Sequence, residues 1–156
     1  MTKSSQVTAG IALGAVLFLG AGYHTAASQA AAYHPPRRLV WAGVYTKAQA
    51  ERGRRLYTQH CSRCHREDLS GSETGPQLNG TVFFDRWHDR TLFDLLATIQ
   101  SWMPHDYSTF IHADAAGDIV SFLLKENGVP AGDKELAANI DVLTDILVTR
   151  PPSPTK

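Results

Sequence analysis

The five residues Cys61-Ser62-Arg63-Cys64-His65 contain both cysteines of this 156-residue chain. The chain opens like an exported one. Lys3 precedes an uncharged, largely apolar run from Val7 to Gly22, and the small residues that follow end in Ser28-Gln29-Ala30, an A-x-A-like cleavage site. Residues 1–30 are therefore expected to be a signal peptide directing the chain to the periplasm. The alternative is an uncleaved membrane anchor over residues 7–22, although that run has 16 residues and four glycines, short of the ~20 apolar residues of a spanning helix. Exported cysteines usually form a disulfide framework. A bridge between residues three apart closes a tiny loop and constrains little of the unfolded chain, so the purpose of this pair is chemical.

Four chemistries compete for Cys-x-x-Cys-His. Two thiols at this spacing can add to the two vinyl groups of one porphyrin, with the adjacent imidazole carried beneath the iron as an axial ligand. A thioredoxin-like redox pair sits at a helix N-terminus in a βαβ context, whereas this pair follows a helical pattern. A zinc site needs two further ligands at matching spacing, and no second motif of that kind occurs. The fourth reading is an inert disulfide. Covalent haem is the one that uses all three residue types, with Cys61 and Cys64 as attachment points and His65 as a ligand. Besides the initiator, Met103 is the one methionine of the chain. As a thioether it is ordinarily a core gap-filler, but here it stands between an apolar helical pattern and Pro104, whose kink turns it off the helix. It is the expected second axial ligand, with His88, His105 and His112 as rivals.

The rest of the chain is helical in pattern. Thr46 is an N-cap with Gln49 at the capping-box position, and the spacing predicts a helix over about 47–60. Thr91 and Asp94 open a second, in which Leu92, Leu95, Leu96 and Ile99 recur at i, i+3, i+4 and i+7. A third runs over about 113–126 on Ala115, Ile119, Phe122 and Leu123, closed by Asn127-Gly128. Residues 66–90, rich in turn formers, read as a long loop wrapping a bound group. Residues 133–148 carry a weaker pattern (Leu136, Ile140, Leu143, Leu147), fitting a short helix or an extended strap. No alternating run is long enough to predict a sheet, so the fold class is all-α. Fifteen basic residues balance fifteen acidic ones, which argues against a nucleic-acid partner.

"CSRCH", "GPQLNG" and "WMP" together resemble a class I c-type cytochrome with a single haem, over roughly residues 41–132. The resemblance implies three main helices plus loops around one covalent haem c. It implies that the backbone carbonyl of Pro76 accepts from the proximal histidine and that Leu78 packs on the porphyrin. It also implies that the first and last helices cross closely at Gly53 and Tyr57. Trp87 and Arg90 are candidate donors to the haem propionates, against readings as a core indole and a solvated surface charge. Arg52, Arg54 and Arg55 read as a solvated helix face, or as a docking site for an acidic partner. One departure is His112, where a Ser or Thr cap is usual. "WAGVYTKAQAERG" and "NGVPAG" are similar to cytochromes that accompany periplasmic quinoprotein dehydrogenases.

The expected organisation is thus a signal peptide over 1–30, a lead-in over 31–45, the cytochrome domain over 46–132, and a C-terminal extension and tail over 133–156. The implied function is non-enzymatic. The protein would carry one electron from a dehydrogenase, a quinoprotein for instance, to a terminal oxidase or other acceptor, with membrane contact only if the N-terminal segment is retained. The alternative is a haem enzyme or sensor with a labile methionine ligand, open to peroxide or a gas.

Overall fold

The computed structural model describes residues 37–106 and 108–153, all within one compact unit that runs from Pro35 to Lys156. The signal peptide or anchor expected over residues 1–30 lies outside the described residues. Among those described, no helix is long and apolar enough to cross a membrane.

The described fold is all-α, as the sequence predicts. Its helices are α1 (Lys47–His60), α2 (Ser62–His65), α3 (Gly80–Trp87), α4 (Leu92–Trp102), α5 (Ala113–Glu126) and α6 (Ile140–Thr144). The sole strand pairing among described residues is a two-residue parallel one, β1 (Arg38–Leu39) with β2 (Ile146–Leu147).

Local chemistry sets the helix boundaries. At α4 the capping box is complete. Thr91 Oγ1 accepts from Asp94 N at 3.2 Å, and the Asp94 carboxylate accepts from Thr91 N at 2.8 Å. At α1 only half of it forms, with Thr46 Oγ1 accepting from Gln49 N at 3.1 Å. The Gln49 side chain turns inward instead, donating to the Leu136 carbonyl at 2.9 Å and accepting from the Leu136 amide at 2.7 Å. His112 caps α5 without a side-chain bond, yet the helix still begins at Ala113, with Asp114 in its first turn beside the positive end of the dipole.

Helices α4 and α5 are the largest contributors to the core. Leu92, Leu95, Leu96 and Ile99 of α4 are buried, as are Ile119, Phe122 and Leu123 of α5. Helices α1 and α5 make the most extensive helix contact, and they cross at Gly53. A Cβ added there would overlap the backbone carbonyl of Asp118. A turn further on, the Tyr57 and Phe122 rings meet with centroids 5.0 Å apart. Glycine in a helix interior costs ~1 kcal/mol against alanine, and this close backbone approach offsets it.

Two parts of the structure depart from the sequence reading. Residues 66–90 are not loop throughout. They contain α3, whose Phe83, Phe84 and Trp87 are buried. Asn79-Gly80, which reads as a turn, starts this helix, and eight residues give little room for periodicity to show. The described part of the lead-in, from residue 37, and the C-terminal extension also belong to the same compact unit as the helices. Leu136, Leu143, Ile146 and Val148 of the extension are all core residues. Of the two forms expected for residues 133–148, both occur: the extension is a strap with one short helix, α6, set within it.

Candidate haem site

The site is built from the end of α1 outward. Cys61 N donates to Tyr57 O at 2.8 Å, and the chain then makes one more helical turn, with Cys64 N and His65 N both donating to Cys61 O at 3.1 and 3.0 Å. Residues i, i+3 and i+4 share a helix face, so Cys61, Cys64 and His65 are presented together. The cysteines are not bridged. Burial, and then the neighbouring Cys64, push the Cys61 thiol up to about 12, whereas disulfide exchange relies on a depressed thiol.

After His65 the chain reverses. Arg66 takes a left-handed φ of 61°, held by the Tyr57 hydroxyl donating to its carbonyl at 2.8 Å. Gly71 N donates to His65 O at 3.1 Å, and Ser72 Oγ to Cys64 O at 2.6 Å. Gly75 lies so close that a Cβ there would be 2.7 Å from Cys64 O. This tight return brings the Pro76 carbonyl 2.7 Å from His65 Nδ1. A carbonyl can only accept, so Nδ1 carries the proton and Nε2 keeps its lone pair for a metal.

Cys61, Cys64 and His65 form one side of a cavity of about 510 Å³, within the range of cofactor sites. Pro76 and Leu78 line it from the returning loop, Arg86 and Trp87 from α3, Leu95, Thr98, Ile99 and Met103 from α4, and Ile119 and Leu123 from α5. Met103 ends α4 in extended geometry, φ −122° and ψ 141°, as the following proline requires. Its thioether therefore leaves the helix and joins the cavity wall. One imidazole, one thioether, two thiols and an otherwise largely apolar lining fit a haem. Among the described residues no group of three or more His, Cys, Asp or Glu could hold a bare metal ion, so the zinc alternative finds no ligand set.

The structure brings together Cys61, Cys64, His65, Pro76, Leu78, Trp87 and Met103. Arg90 does not line the cavity. Its guanidinium carbon stands 5.8 Å from the centroid of the Trp87 ring. Arg86, four residues earlier and within α3, does line it, 5.9 Å from the same ring. Sequence reasoning passed over Arg86 because α3 was read as loop. Trp87 Nε1 is buried and has no hydrogen-bond partner, an orphan donor beside the cavity. Of the rival ligands, His105 lines the cavity, as does His60, while His88 and His112 do not. The sequence reading also missed Asn127. Its side chain accepts from Gly80 N at 2.9 Å and donates to Leu78 O at 3.0 Å and Leu123 O at 2.8 Å, tying the Leu78 wall to α3 and α5.

A cavity of this kind, with Cys-x-x-Cys-His at the end of the first helix and a methionine after a later one, defines a c-type cytochrome. The sequence comparisons with known proteins agree. The family described as cytochrome c oxidase, cbb3-type, subunit III matches residues 48–123. Cytochrome c 2.1 of Caenorhabditis elegans is 26% identical over 98 residues, covering 49% of this chain and 88% of the nematode protein. The Caenorhabditis briggsae protein of the same name is 27% identical over 101 residues, 51% of this chain and 90% of that one. Among solved structures, the sulfane dehydrogenase SoxCD from Paracoccus pantotrophus aligns at TM-score 0.45 and 18% identity, over 69% of this chain and 62% of that one. The chain is a class I c-type cytochrome, an electron carrier with one covalent haem c.

Proposed function

We propose that this cytochrome works outside the cytoplasm, in the periplasm, and passes single electrons from a dehydrogenase to a downstream acceptor, with His65 and Met103 as the axial ligands of its iron. A quinoprotein dehydrogenase is the donor suggested by the resemblance of "WAGVYTKAQAERG" and "NGVPAG". The observation that carries the ligand assignment is the cavity itself, which gathers Cys61, Cys64, His65 and Met103 on its walls. His65 is oriented by the Pro76 carbonyl at 2.7 Å, so its ring is fixed before any metal is bound. Haem, when bound, supplies a one-electron couple. The chain's own residues supply the rest. The Cys61 and Cys64 sulfurs would hold the macrocycle, Leu78, Leu95, Ile99 and Leu123 would exclude water from it, and His65 and Met103 would both be taken up by the iron. Thioether ligation raises the potential relative to a second imidazole.

Absorption spectroscopy of the ferric protein tests this. The weak red band of thioether-to-iron coordination is expected in the parent protein. It should disappear in Met103→Ala, which should retain covalent haem and bind cyanide rapidly. A parent protein lacking that band and binding cyanide fast would instead be an open-site haem enzyme or sensor. A parent protein exported without haem, with both thiols titratable, would sink the cytochrome reading altogether.

A further inference from the structure

Helix α3 carries Arg86 and Trp87 on the cavity wall, yet it has little direct backbone contact with any other described helix. Its Phe83, Phe84 and Trp87 are buried in the core and Asn127 binds its first residue; what holds its C-terminal end is the strap. Asp89 N donates to Val148 O at 3.0 Å, and Val148 N donates to Arg90 O at 2.9 Å. Leu147 and Thr91 form an antiparallel bridge. The Arg150 guanidinium reaches Asp85 on α3 at 2.8 Å. The strap is anchored in turn to the lead-in, by the β1–β2 pairing, by Arg38 N donating to Asp145 O at 2.9 Å, and by Trp41 Nε1 donating to Thr149 O at 3.2 Å and Oγ1 at 3.1 Å. Trp41 stacks on Phe84 of α3 at 5.8 Å. The strap residues themselves do not line the cavity, so their effect on it passes through α3.

We propose that residues 146–150 are a positioning strap that fixes α3 and the turn after it, so that Arg86 and Trp87 stand as a rigid donor pair for a haem carboxylate. This rests on the haem reading given above. A carboxylate held by two such donors stays ionised across the neutral range, so its proton does not couple to the electron and the reduction potential stays flat with pH. The other charged or titratable groups facing the cavity are His60 of α1, Arg63 of α2, and His105 and Asp106 after Met103. All of them are kept in every variant below.

The test compares haem-loaded parent, Val148→Pro, Trp87→Phe and the double variant. The readouts are reduction potential against pH and solvent exchange of the Trp87 indole N–H. Val148→Pro removes the amide that binds Arg90 O. It should keep the thioether band, speed indole exchange, and move the pH-linked step of the potential upward by about one pH unit, the shift a hydrogen bond to a charged group is worth. Trp87→Phe should move the same step, and adding Val148→Pro to it should move the step by less than Val148→Pro does alone, because only the Arg86 contact is left to lose. If Trp87→Phe moves the step and Val148→Pro leaves both readouts unchanged, the strap has no positioning role while the carboxylate contact stands. If Trp87→Phe has no effect, the carboxylate contact fails and the strap proposal with it. Full additivity in the double variant also overturns the proposal, because the strap would then act by another route. Should Val148→Pro not fold, Arg150→Ala, which alters only an exposed pair, takes its place. It is expected to speed exchange and shift the step in the same direction by less, and an unchanged profile overturns the proposal.

Discussion

Asn127 shows how much a single side chain can hold when all its polar atoms are used. It is buried, and its three bonds join Gly80 N, Leu78 O and Leu123 O. Asn127→Ala removes the partners of Gly80 N and Leu78 O at a part-buried joint. A hydrogen bond contributes ~0.5–1.5 kcal/mol net, so urea unfolding of Asn127→Ala is expected to show a loss of ~1–3 kcal/mol. Because Leu78 is on the cavity wall, the haem absorption of this variant should also broaden, whereas an exposed helix cap would lose stability alone. The sequence showed Asn127 only as a C-cap, since its position before Gly128 explains that role and nothing local reveals contacts with residues nearly fifty positions away. Cys61, Cys64 and His65 were legible as candidates because the chemistry demands particular atoms at fixed spacing, and Met103 because it is the one methionine besides the initiator and stands just before Pro104. Pro76 was legible only through resemblance, because its contribution is a backbone carbonyl that any residue carries.

At the scale of elements, helices with a cap and a clean apolar stripe were legible to the residue. Thr91 with Asp94 marks the start of α4, and Asn127-Gly128 marks the end of α5. Helix α3 was hidden because its first residues are turn formers and its stripe spans barely two turns. The α4 cap also makes a pH prediction. Hydrogen bonds from the Thr91 side chain and then from its backbone amide, with the nearby Arg90 charge, hold Asp94 below its ordinary 3.8. A depressed carboxylate contributes stability that is complete above the unfolded value and is lost as pH falls through the folded one. Asp94→Asn should therefore be less stable than the parent near neutrality by ~0.3–1 kcal/mol, the usual worth of a negative charge in the first turn of a helix. The two unfolding midpoints should converge once the pH drops below that of the protonating carboxylate. A difference that persists undiminished in acid would show that the Asp94 charge is not what the helix start uses.

At the scale of the molecule, the segments on either side of the recognisable domain turn out to complete it. Arg52 illustrates the change of reading. As part of a basic cluster it looks like a solvated face or a docking site, but it forms a bidentate pair with Asp118 of α5 at 2.9 and 3.0 Å and also binds Glu135 of the extension at 2.8 Å. Its neighbour Arg54 pairs with Glu51 at 3.1 Å. The extension then buries Leu136, Leu143, Ile146 and Val148 to 4% exposure or less. Fully burying such a side chain contributes ~1.5–3 kcal/mol, so the four together supply ~6–12 kcal/mol, comparable to the ~5–15 kcal/mol net stability of a domain. A chain ended at Gly132, where the cytochrome resemblance stops, would lose all four and leave the Gln49 amide without its Leu136 partners. It is expected to show no cooperative urea transition without haem, and a much lower midpoint with haem attached. A truncated chain that unfolded at the parent midpoint with the parent slope would mean that residues 133–150 merely lie on the surface of a domain already complete without them. The buried, hydrogen-bonded Gln49 argues against that, because a glutamine is driven so deep only where both ends of its amide are met.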